Sequence, residues 1–375
     1  MSEWKEYTIE DICEQIFAGG DAAKYRTTKH QTSLYNIPVY ANSTEDDGLY
    51  GYCDKAVVSS PAVTIVARGA GIGFVAFRNK PFVPIVRLIT LITNNSVDTK
   101  FLYYYLKNRR LSGDGSAIPQ ITVPMVKKET VIVPILEEQK RIVNILSSLD
   151  EKIETNRKIN ARLEELAQAL FKSWFIDFEP FGGKMPADWE TCTLGDLTVE
   201  CKNRVRNREN VKVLSPISSG ELVLSDEYFS KQVYSKELSK YIIVAPNAFA
   251  YNPARVNIGS IGKNNFKFDG CVSPVYVVFR AIDGYEEFIN QFIKTKLFKD
   301  EVLLRAIGGV RQTLDYHDFS LIEFNKPNID IVTHYTNIVN PLYIKMGALN
   351  TESARLAALR DTLLPKLMSG EIKPE

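Results

Sequence analysis

The amino-acid sequence contains two copies of one pattern, and this duplication constrains the fold more than any local motif does. WKEYTIEDI, which begins at Trp4, matches WETCTLGDL, which begins at Trp189, in its Trp, Thr and Asp residues and in two aliphatic positions. The separation of the copies is that of a whole domain and not of a short solenoid repeat. The sequence therefore predicts two similar halves that engage two similar sites.

The match continues in the same order to the end of the chain. The matched residues are Ala67, Arg68, Ile72 and Gly73 with Ala254, Arg255, Ile258 and Gly259; Gln120 with Gln312; Pro134 with Pro327; Asn144 with Asn337; Leu163 with Leu356; and Leu170 with Leu363. The last four pairs share one offset (327 − 134 = 193), whereas the first set needs one extra residue between Arg and Ile in the first copy. The C-terminal segments are therefore better matched than the globular parts.

Composition places the chain among folded proteins. With 375 residues, of which 45% are hydrophobic and 24% charged, the chain can bury two cores. Five cysteines lie apart without a C-x-x-C pair, which favours reduced thiols in a cytoplasm and argues against zinc. The N-terminal segment is acidic and unlike a signal peptide, and no apolar run is long enough for a membrane span. We expect a cytoplasmic protein without membrane contact.

The chain divides into two globular parts and two helical parts. Each globular part alternates short β-branched and aromatic runs with turn clusters and contains one helical stretch, TKFLYYYLKN or YEEFINQFIKTKLF. Each then ends at a proline, directly after which a long helix can begin. The predicted segments are 1–136, 137–180, 181–327 and 328–375. The expected fold class is α+β, with two similar domains separated by two long helices that form an antiparallel coiled coil.

Apolar residues recur in both long helices at a three-to-four spacing, which is typical of a coiled-coil seam. The seam contains Ile142, Leu149, Ile153, Asn156, Leu163 and Leu170 in the first helix and Leu342, Leu349, Leu356 and Leu363 in the second. Two similar seams most simply pack on each other, although each helix could instead cover only its own domain. Asn156 either fixes the register or is tolerated, and Pro341 is expected to kink the second helix or to start a new segment.

The first long helix carries a specific set of residues: a Glu-Glu-Gln junction at 137–139, the pattern Leu149, Asp150, Ile153 and Asn156, and the tail FKSWFIDFEPF. With these residues the segment from Val133 to Phe181 resembles the central conserved region of the specificity subunits of type I restriction-modification systems. KMPADWETCTLGDL, from Lys184, resembles the start of that family's second target recognition domain, and LRDTLLPKLMSGEI, from Leu359, resembles its C-terminal end. The second helix lacks the Glu-Gln junction.

This resemblance implies a non-catalytic subunit that chooses a DNA sequence while its partners carry the chemistry. In the family each globular domain reads one half of a split, asymmetric site in double-stranded DNA. The paired helices set the length of the unread spacer and bind two methyltransferase subunits, which restriction subunits then join. No cofactor is expected in this chain, because S-adenosylmethionine, ATP and Mg²⁺ belong to the partner subunits.

Motifs that resemble catalytic sites are weak. GAGIG, at Gly69–Gly73, lacks the nucleotide-binding spacing and is interpreted as a hairpin turn. YNPAR, at Tyr251–Arg255, lacks the second proline and the aromatic residue of amino-methyltransferases and is interpreted as a strand end. The acidic residues 45–47 are interpreted as a solvated loop. His30, His317 and His334 stand apart from other ligand types, and the sequence therefore predicts no catalytic or metal site.

Candidate DNA contacts are local, because 46 Lys and Arg against 45 Asp and Glu leave a net charge of only +1. Two basic loops stand at matching places in the copies. They contain Lys24, Arg26 and Lys29 in the first copy and Lys202, Arg204, Arg206 and Arg208 in the second. These residues are candidates for phosphate contacts, and the alternative is that they are ordinary solvated charges.

A second set of candidates has side chains suited to base edges. Arg68 and Arg255 lie beside the Ile-Gly turn of each copy and suit guanine or a phosphate, although both could instead be buried structural arginines. Gln120, Arg311 and Gln312 lie in glycine-flanked loops and suit adenine and guanine edges.

The sequence thus favours a bipartite DNA-specificity subunit of a methyltransferase and restriction complex. The main alternative is a coiled-coil scaffold or adaptor whose two globular domains bind protein. A stand-alone modification enzyme is disfavoured by the missing methyltransferase motifs.

Overall fold

The computed structural model describes residues 4–109, 111–113, 119–229, 231–305 and 313–374. The chain divides into two compact units. Unit 1 is Met1–Asn156 with Asn350–Glu375, and unit 2 is Arg157–Leu349.

Unit 1 is a mixed α+β unit. Its strands are β1 (Lys5–Thr8), β2 (Cys13–Ala18), β3 (Ile37–Tyr40), β4 (Leu49–Cys53), β5 (Ala62–Ile65), β6 (Val75–Arg78), β7 (Val83–Pro84), β8 (Ile89–Thr93) and β9 (Thr130–Val133). Its helices are α1 (Ile9–Ile12), α2 (Thr99–Asn108), α3 (Val123–Lys128) and the first part of α4 (Leu136–Phe175). The strands form an antiparallel sheet β2-β8-β5-β6, a sheet β4-β3-β7 in which β3 and β7 are parallel, and the pair β1-β9.

The helix α2 covers the main sheet of unit 1. It begins after Asp98, whose carboxylate accepts hydrogen bonds from the backbone N–H groups of Lys100 and Phe101 at 2.8 and 3.0 Å. The side chains of Phe101 and Tyr104 are buried in the core formed with β5, β6 and β8. The sequence prediction of a helix over TKFLYYYLKN is confirmed.

Unit 2 repeats this architecture with one added edge strand. Its strands are β10 (Glu190–Thr193), β11 (Thr198–Glu200), β12 (Lys212–Pro216), β13 (Leu222–Leu224), β14 (Ile242–Val244), β15 (Phe249–Tyr251), β16 (Ile261–Lys263), β17 (Gly270–Val272), β18 (Val277–Ala281) and β19 (Glu323–Lys326). Its helices are α5 (Leu194–Leu197), α6 (Ser225–Tyr228), α7 (Glu286–Phe292), α8 (Lys296–Arg305), α9 (Tyr316–Ser320) and the first part of α10 (Ile329–Met368). The sheets are β11-β18-β15-β16, β13-β12-β17-β14 and β10-β19.

The topology confirms the duplication. Strands β2-β8-β5-β6 and β11-β18-β15-β16 have the same order, and the parallel pair β3-β7 corresponds to β12-β17. The entry turn is also the same, because Thr8 with Asp11 and Thr193 with Asp196 each form a capping box at the start of α1 and α5. The α+β fold class with two long helices is therefore confirmed.

Strand pairing places the two copies in a register that differs slightly from the sequence alignment. Ile65 pairs with Val75 in the first hairpin, and Tyr251 pairs with Ile261 in the second. Both pairs give the same offset (251 − 65 = 261 − 75 = 186), so no extra residue separates the copies here. The sequence alignment, which placed one extra residue between Arg68 and Ile72 in the first copy, was therefore wrong at this point.

Two equivalent backbone hydrogen bonds extend this register. Ile121 N donates to Ala67 O at 2.8 Å in unit 1, and Leu314 N donates to Pro253 O at 3.1 Å in unit 2. The residues beside these bonds are the true counterparts. They are Arg68 with Ala254 and Gln120 with Thr313, in place of the sequence-based partners Arg255 and Gln312.

The two long helices have equal length and equal placement in their copies. Both α4 and α10 contain 40 residues, and their first residues differ by the offset found in the sequence (329 − 136 = 193). In unit 1 the helices run antiparallel, since Asp150 contacts Arg360 and Asn156 contacts Glu352. In unit 2 they also run antiparallel, with contacts between Asn160 and Met346 and between Ala167 and Tyr335.

Two local expectations about helices need correction. Of the two alternatives for Pro341, a kink or a new segment, the new segment is excluded, because α10 continues through it. Because proline has no backbone N–H, the carbonyl of Asn337 receives no hydrogen bond from position 341. Both residues are exposed, so water can bind that carbonyl instead. The stretch YEEFINQFIKTKLF forms α7 and α8 instead of one helix, because the hydroxyl of Thr295 accepts a hydrogen bond from Phe298 N at 3.2 Å and so starts α8.

Candidate nucleic-acid interface

The basic loop of unit 2 lines an open groove of about 1180 Å³. The loop is fixed to the edge strand β14: Ile243 N donates to Asn203 O at 2.7 Å, and Val205 N donates to Tyr241 O at 2.9 Å. Lys202, Arg204, Arg206 and Arg208, the four residues predicted from the sequence, all line this groove and are exposed. The structure therefore brings the predicted cations of unit 2 together on one surface.

The four cations differ in their partners. Lys202 lies 2.6 Å from a carboxylate oxygen of Glu200, and Arg208 lies 2.9 Å from one of Asp269. Within the described part of the chain, the guanidinium groups of Arg204 and Arg206 have no hydrogen-bond or ion-pair partner. Exposed ion pairs contribute only about 0–1 kcal/mol, so a phosphate can displace either carboxylate at little cost.

The basic loop of unit 1 lies in a different place. Lys24, Arg26 and Lys29 follow β2 and are exposed. Thr28 forms reciprocal backbone hydrogen bonds with Tyr52 at 2.8 and 2.9 Å, which fix the loop to β4. Because β4 and β14 lie on opposite edges of the corresponding sheets, the two basic loops are equivalent in sequence order but not in structure.

The base-edge candidates fall into two groups. Arg68 and Gln120 lie opposite each other in an antiparallel bridge, and neither is a buried structural residue, since Arg68 is exposed and Gln120 is half-buried. Arg255 is exposed in the turn after β15, and it does not occupy the position equivalent to Arg68. Arg311 and Gln312 lie outside the described residues.

Sequence reasoning missed the residue that holds Arg68 in place. Asn42 Oδ1 accepts a hydrogen bond from Ala67 N at 2.6 Å, and Asn42 Nδ2 donates to Arg68 O at 2.8 Å. Asn42 stands just after β3, where nothing in its sequence neighbourhood marks it, because its partners are 25 and 26 residues away.

A buried arginine supports the acidic loop of unit 1. Arg78 Nη2 donates to Asp47 O at 2.6 Å, Arg78 Nε donates to Thr64 Oγ1 at 3.1 Å, and the guanidinium lies 3.6 Å from the centre of the Tyr40 ring. Burial lowers the pKa of Arg78 from its ordinary value. Asp47, whose carbonyl oxygen accepts this hydrogen bond, and the neighbouring Asp46 both have a left-handed backbone conformation.

The predicted seam residues of the long helices differ in exposure. Ile142, Asn156 and Leu349 are buried. The others are half-buried: Leu149, Ile153, Leu163, Leu170, Leu342, Leu356 and Leu363. In unit 1 the buried Asn156 donates through Nδ2 to Glu352 Oε2 at 2.8 Å and to Ser353 Oγ at 3.3 Å. Large apolar side chains also remain exposed on both helices, among them Ile159, Leu166, Ile338, Ile344 and Leu359.

Gln139, the last residue of the Glu-Glu-Gln junction, joins α4 to the rest of unit 1. Its side chain is fully buried. Nε2 donates to Pro134 O at 2.8 Å and to Ser96 O at 3.2 Å, and Oε1 accepts from Asp98 N at 2.8 Å. In unit 2, where this glutamine is absent, Tyr285 donates its hydroxyl to Pro327 O at 2.9 Å. Pro327 is the counterpart of Pro134, so a different residue performs the same task.

A second junction in unit 1 connects α2 with both long helices. Tyr104 donates its hydroxyl to Asp150 Oδ2 at 2.7 Å, and Arg360 Nη1 donates to Asp150 Oδ1 at 2.7 Å. Burial, together with this carboxylate, raises the pKa of Tyr104 above its ordinary value, so the hydroxyl stays protonated and remains a donor. Asp150, one of the residues that carried the resemblance, therefore ties the helix pair to the globular part of unit 1.

Among the described residues, two buried cysteines are neutral and the possible metal ligands do not form a group. Burial raises the pKa of Cys13 and of Cys271 to about 12, so both are neutral thiols at physiological pH. No group of His, Cys, Asp and Glu in the described ranges has the arrangement of a metal site. None of the helices in this part of the chain is both long and apolar enough to cross a membrane. GAGIG forms the turn between β5 and β6, and YNPAR begins at the last residue of β15, as the sequence predicted.

Comparison with known proteins points to one family. The model of the type I restriction modification DNA specificity domain matches residues 1–165. The type I restriction enzyme HindI specificity subunit of Haemophilus influenzae is 31% identical, and the alignment covers 99% of this chain and 100% of that protein. The type I restriction enzyme MjaIX specificity subunit of Methanocaldococcus jannaschii is 29% identical over 86% of this chain and 80% of that protein.

A solved structure shows the same fold. The type I restriction-modification system S subunit from M. genitalium superposes with a TM-score of 0.62, over 98% of this chain and 96% of that chain. The sequence identity is 17%, so this likeness concerns the fold alone.

Proposed function

Because this chain belongs to the DNA specificity subunits of type I restriction-modification systems, we propose that each unit reads one half of a bipartite, asymmetric site in double-stranded DNA. The observation that carries the proposal is the duplication itself. Two units of one topology, with a 40-residue helix after the globular part of each and at the same offset, suit a ligand with two separated and related sites. Different surface residues on the two units suit two different half-sites.

The basic loops supply the phosphate contacts in this proposal. Arg204 and Arg206 are exposed, lie on one groove and have no partner among the described residues, so they bind phosphate without first losing an ion pair. Phosphate contacts position the protein on the duplex, and base contacts provide the sequence choice. The exposed cations Lys24, Arg26 and Lys29 have the same role in unit 1.

The long helices set the spacer and bind the methyltransferase subunits. A helix of 40 residues is roughly 60 Å long, well over the roughly 34 Å of one turn of B-DNA. The apolar residues exposed on α4 and α10, such as Leu166 and Ile344, are suited to burial against a protein partner. Restriction subunits join the assembly through its methyltransferase subunits.

This chain contributes no catalytic group in the proposed assembly. YNPAR, the segment most similar to an amino-methyltransferase motif, lacks the residues of that motif and continues a strand into a turn. S-adenosylmethionine, ATP and Mg²⁺ are accordingly bound by the methyltransferase and restriction subunits.

Selection from duplexes with randomised positions tests the proposal. The chain with its methyltransferase partner is expected to enrich two short sequences at a fixed separation. The affinity for the enriched duplex should fall steeply with salt, because each phosphate contact contributes about 0.9 to the slope of log K against log salt. A protein-binding adaptor would enrich no duplex and would show no such slope.

A further inference from the structure

Arg68 and Gln120 form an outward-facing pair in unit 1. They are opposite residues of an antiparallel bridge, and the hydrogen bond from Ile121 N to Ala67 O joins their neighbours. In a pair of this kind the two Cβ atoms are roughly 4.5–5.5 Å apart and the side chains point to the same face. Ala67 and Ile121 are 1% and 2% exposed, so the bridge directs its apolar side chains inward and its two polar side chains outward.

The backbone beneath this pair is closely packed. A Cβ on Gly73 would lie 2.4 Å from Leu111 O, and a Cβ on Gly113 would lie 2.8 Å from Gln120 N. Asn42 also binds the backbone on both sides of Arg68 Cα through its two hydrogen bonds. The two side chains therefore project from a fixed base, as a recognition pair requires.

Among the described residues, neither side chain makes a contact that the fold depends on. Other arginine and glutamine side chains of the chain serve structural contacts, such as Arg78 in the core of unit 1, Arg360 on Asp150 and Gln139 at the helix junction. In the part of the chain that the structure describes, the Arg68 guanidinium and the Gln120 amide have no hydrogen-bond or ion-pair partner. Their donors and acceptors are therefore available to a ligand.

The same position in unit 2 carries different chemistry. The hydrogen bond from Leu314 N to Pro253 O identifies Ala254 and Thr313 as the counterparts of Arg68 and Gln120. Both counterparts are exposed. A long, doubly hydrogen-bonding pair in one unit thus corresponds to two short, methyl-bearing residues in the other.

We propose that this outward pair is a specificity-determining position in each recognition domain: Arg68 with Gln120 in unit 1, and Ala254 with Thr313 in unit 2. The inference rests on the proposed function and assigns residues to it. Arginine forms two hydrogen bonds with guanine O6 and N7, and glutamine forms two with adenine N6 and N7. The methyl groups of alanine and threonine contact the thymine methyl group. Unit 1 reads purines at this position, and unit 2 reads a thymine.

Sequencing of methylated sites in cells that express the chain with its methyltransferase partner tests the assignment. Arg68→Ala and Gln120→Ala should each reduce discrimination at one base pair of the same half-site by roughly tenfold or more, because a bidentate contact is lost. Arg68→Lys should lose the same discrimination, since it keeps the charge but not the planar fork. The other half-site and the spacer should stay unchanged. Lys80→Ala, which removes an exposed charge from unit 1, is the matched control and should keep the full wild-type site.

Two results would overturn the assignment. One is that complexes carrying Arg68→Ala or Gln120→Ala methylate the wild-type site and discriminate against other bases as strongly as the wild-type complex does. The other is that Arg68→Ala lowers methylation of every site alike, without loss of discrimination at any one base pair, because Arg68 would then contact a phosphate, which positions the protein without reading bases. A wild-type complex that methylates no bipartite site would instead refute the proposed function, and this assignment with it. The variant pair Arg68→Ala with Gln120→Thr gives a positive test, since it should introduce a thymine preference into the half-site that unit 1 reads.

Discussion

Replacing Gln139 by leucine tests how the first long helix is joined to unit 1. The buried amide makes three hydrogen bonds to backbone groups, at 2.8, 2.8 and 3.2 Å. Leucine has a similar volume but leaves these groups without partners. At about 0.5–1.5 kcal/mol for each net hydrogen bond, the loss is about 3 kcal/mol. This corresponds to a roughly 100-fold increase in local opening.

Hydrogen exchange measured by mass spectrometry can localise the effect. Exchange should accelerate in peptides that cover residues 94–108, because Asp98 loses the bond to its backbone N–H and caps α2 less firmly. Peptides from unit 2 should be unchanged. Gln168→Leu is the matched control. Gln168 lies on the same helix, is exposed and, among the described residues, bonds only Glu164, so its replacement should change stability by less than about 0.5 kcal/mol.

Two outcomes would refute this reasoning. If Gln139→Leu accelerates exchange no more than Gln168→Leu does, the three hydrogen bonds do not hold the junction. If the acceleration is equal in both units, the glutamine acts on the whole chain and not on the junction of unit 1.

Three further changes have definite expected outcomes. Arg204→Ala with Arg206→Ala should reduce the salt slope of duplex binding by about 2 without changing the selected sequence, and an altered sequence would contradict their assignment to phosphates. Asn156→Leu should leave the thermal midpoint equal or raise it, because it removes a buried amide whose Oδ1 has no hydrogen-bond partner in the part of the chain that the structure describes. A lowered midpoint would show that the bond to Glu352 is a net stabilising contact. Burial raises the pKa of Cys271 from 9.0 to about 12, so the contribution of this thiol to stability is complete below pH 9 and is lost as pH rises toward 12. The denaturant midpoint should fall by less in Cys271→Ala than in the parent chain over this pH range, because the variant keeps the other buried thiols, such as Cys13. An equal fall in both chains would contradict this contribution.

The sequence predicted the helical framework well. The offset of 193 residues between matched helix positions reappears in the first residues of α4 and α10. Helices are set by a local pattern of apolar residues, which the sequence displays directly. The same holds for α2, whose capping residue Asp98 stands just before its apolar face.

The register of the globular parts could not be read from residue identity. The alignment of Arg68 with Arg255 and of Gln120 with Gln312 followed side chains, whereas the fold preserves the backbone hydrogen bonds that place Ala254 and Thr313 at those positions. Side chains at a recognition surface are free to diverge between the two copies. Shifting the alignment by one residue can then match identical side chains by chance.

Polar contacts between residues far apart in the chain could not be predicted from the sequence either. Asn42 holds the backbone beside Arg68, and Gln139 binds Asp98, 41 residues earlier in the chain. Such contacts depend on which loops the topology brings together. The basic loops illustrate the same limit, because they follow equivalent strands but lie against opposite sheet edges.

The claim that the helix pair sets the spacer can be measured directly. Seven residues inserted after Asn156 in α4 and seven after Leu349 in α10 lengthen both helices at the boundary between the units. Seven residues correspond to about 10.5 Å of helix, or roughly three base pairs. Sequencing of methylated sites should show both half-sites unchanged and a spacer longer by about three base pairs. An unchanged spacer, or altered half-sites, would contradict the account.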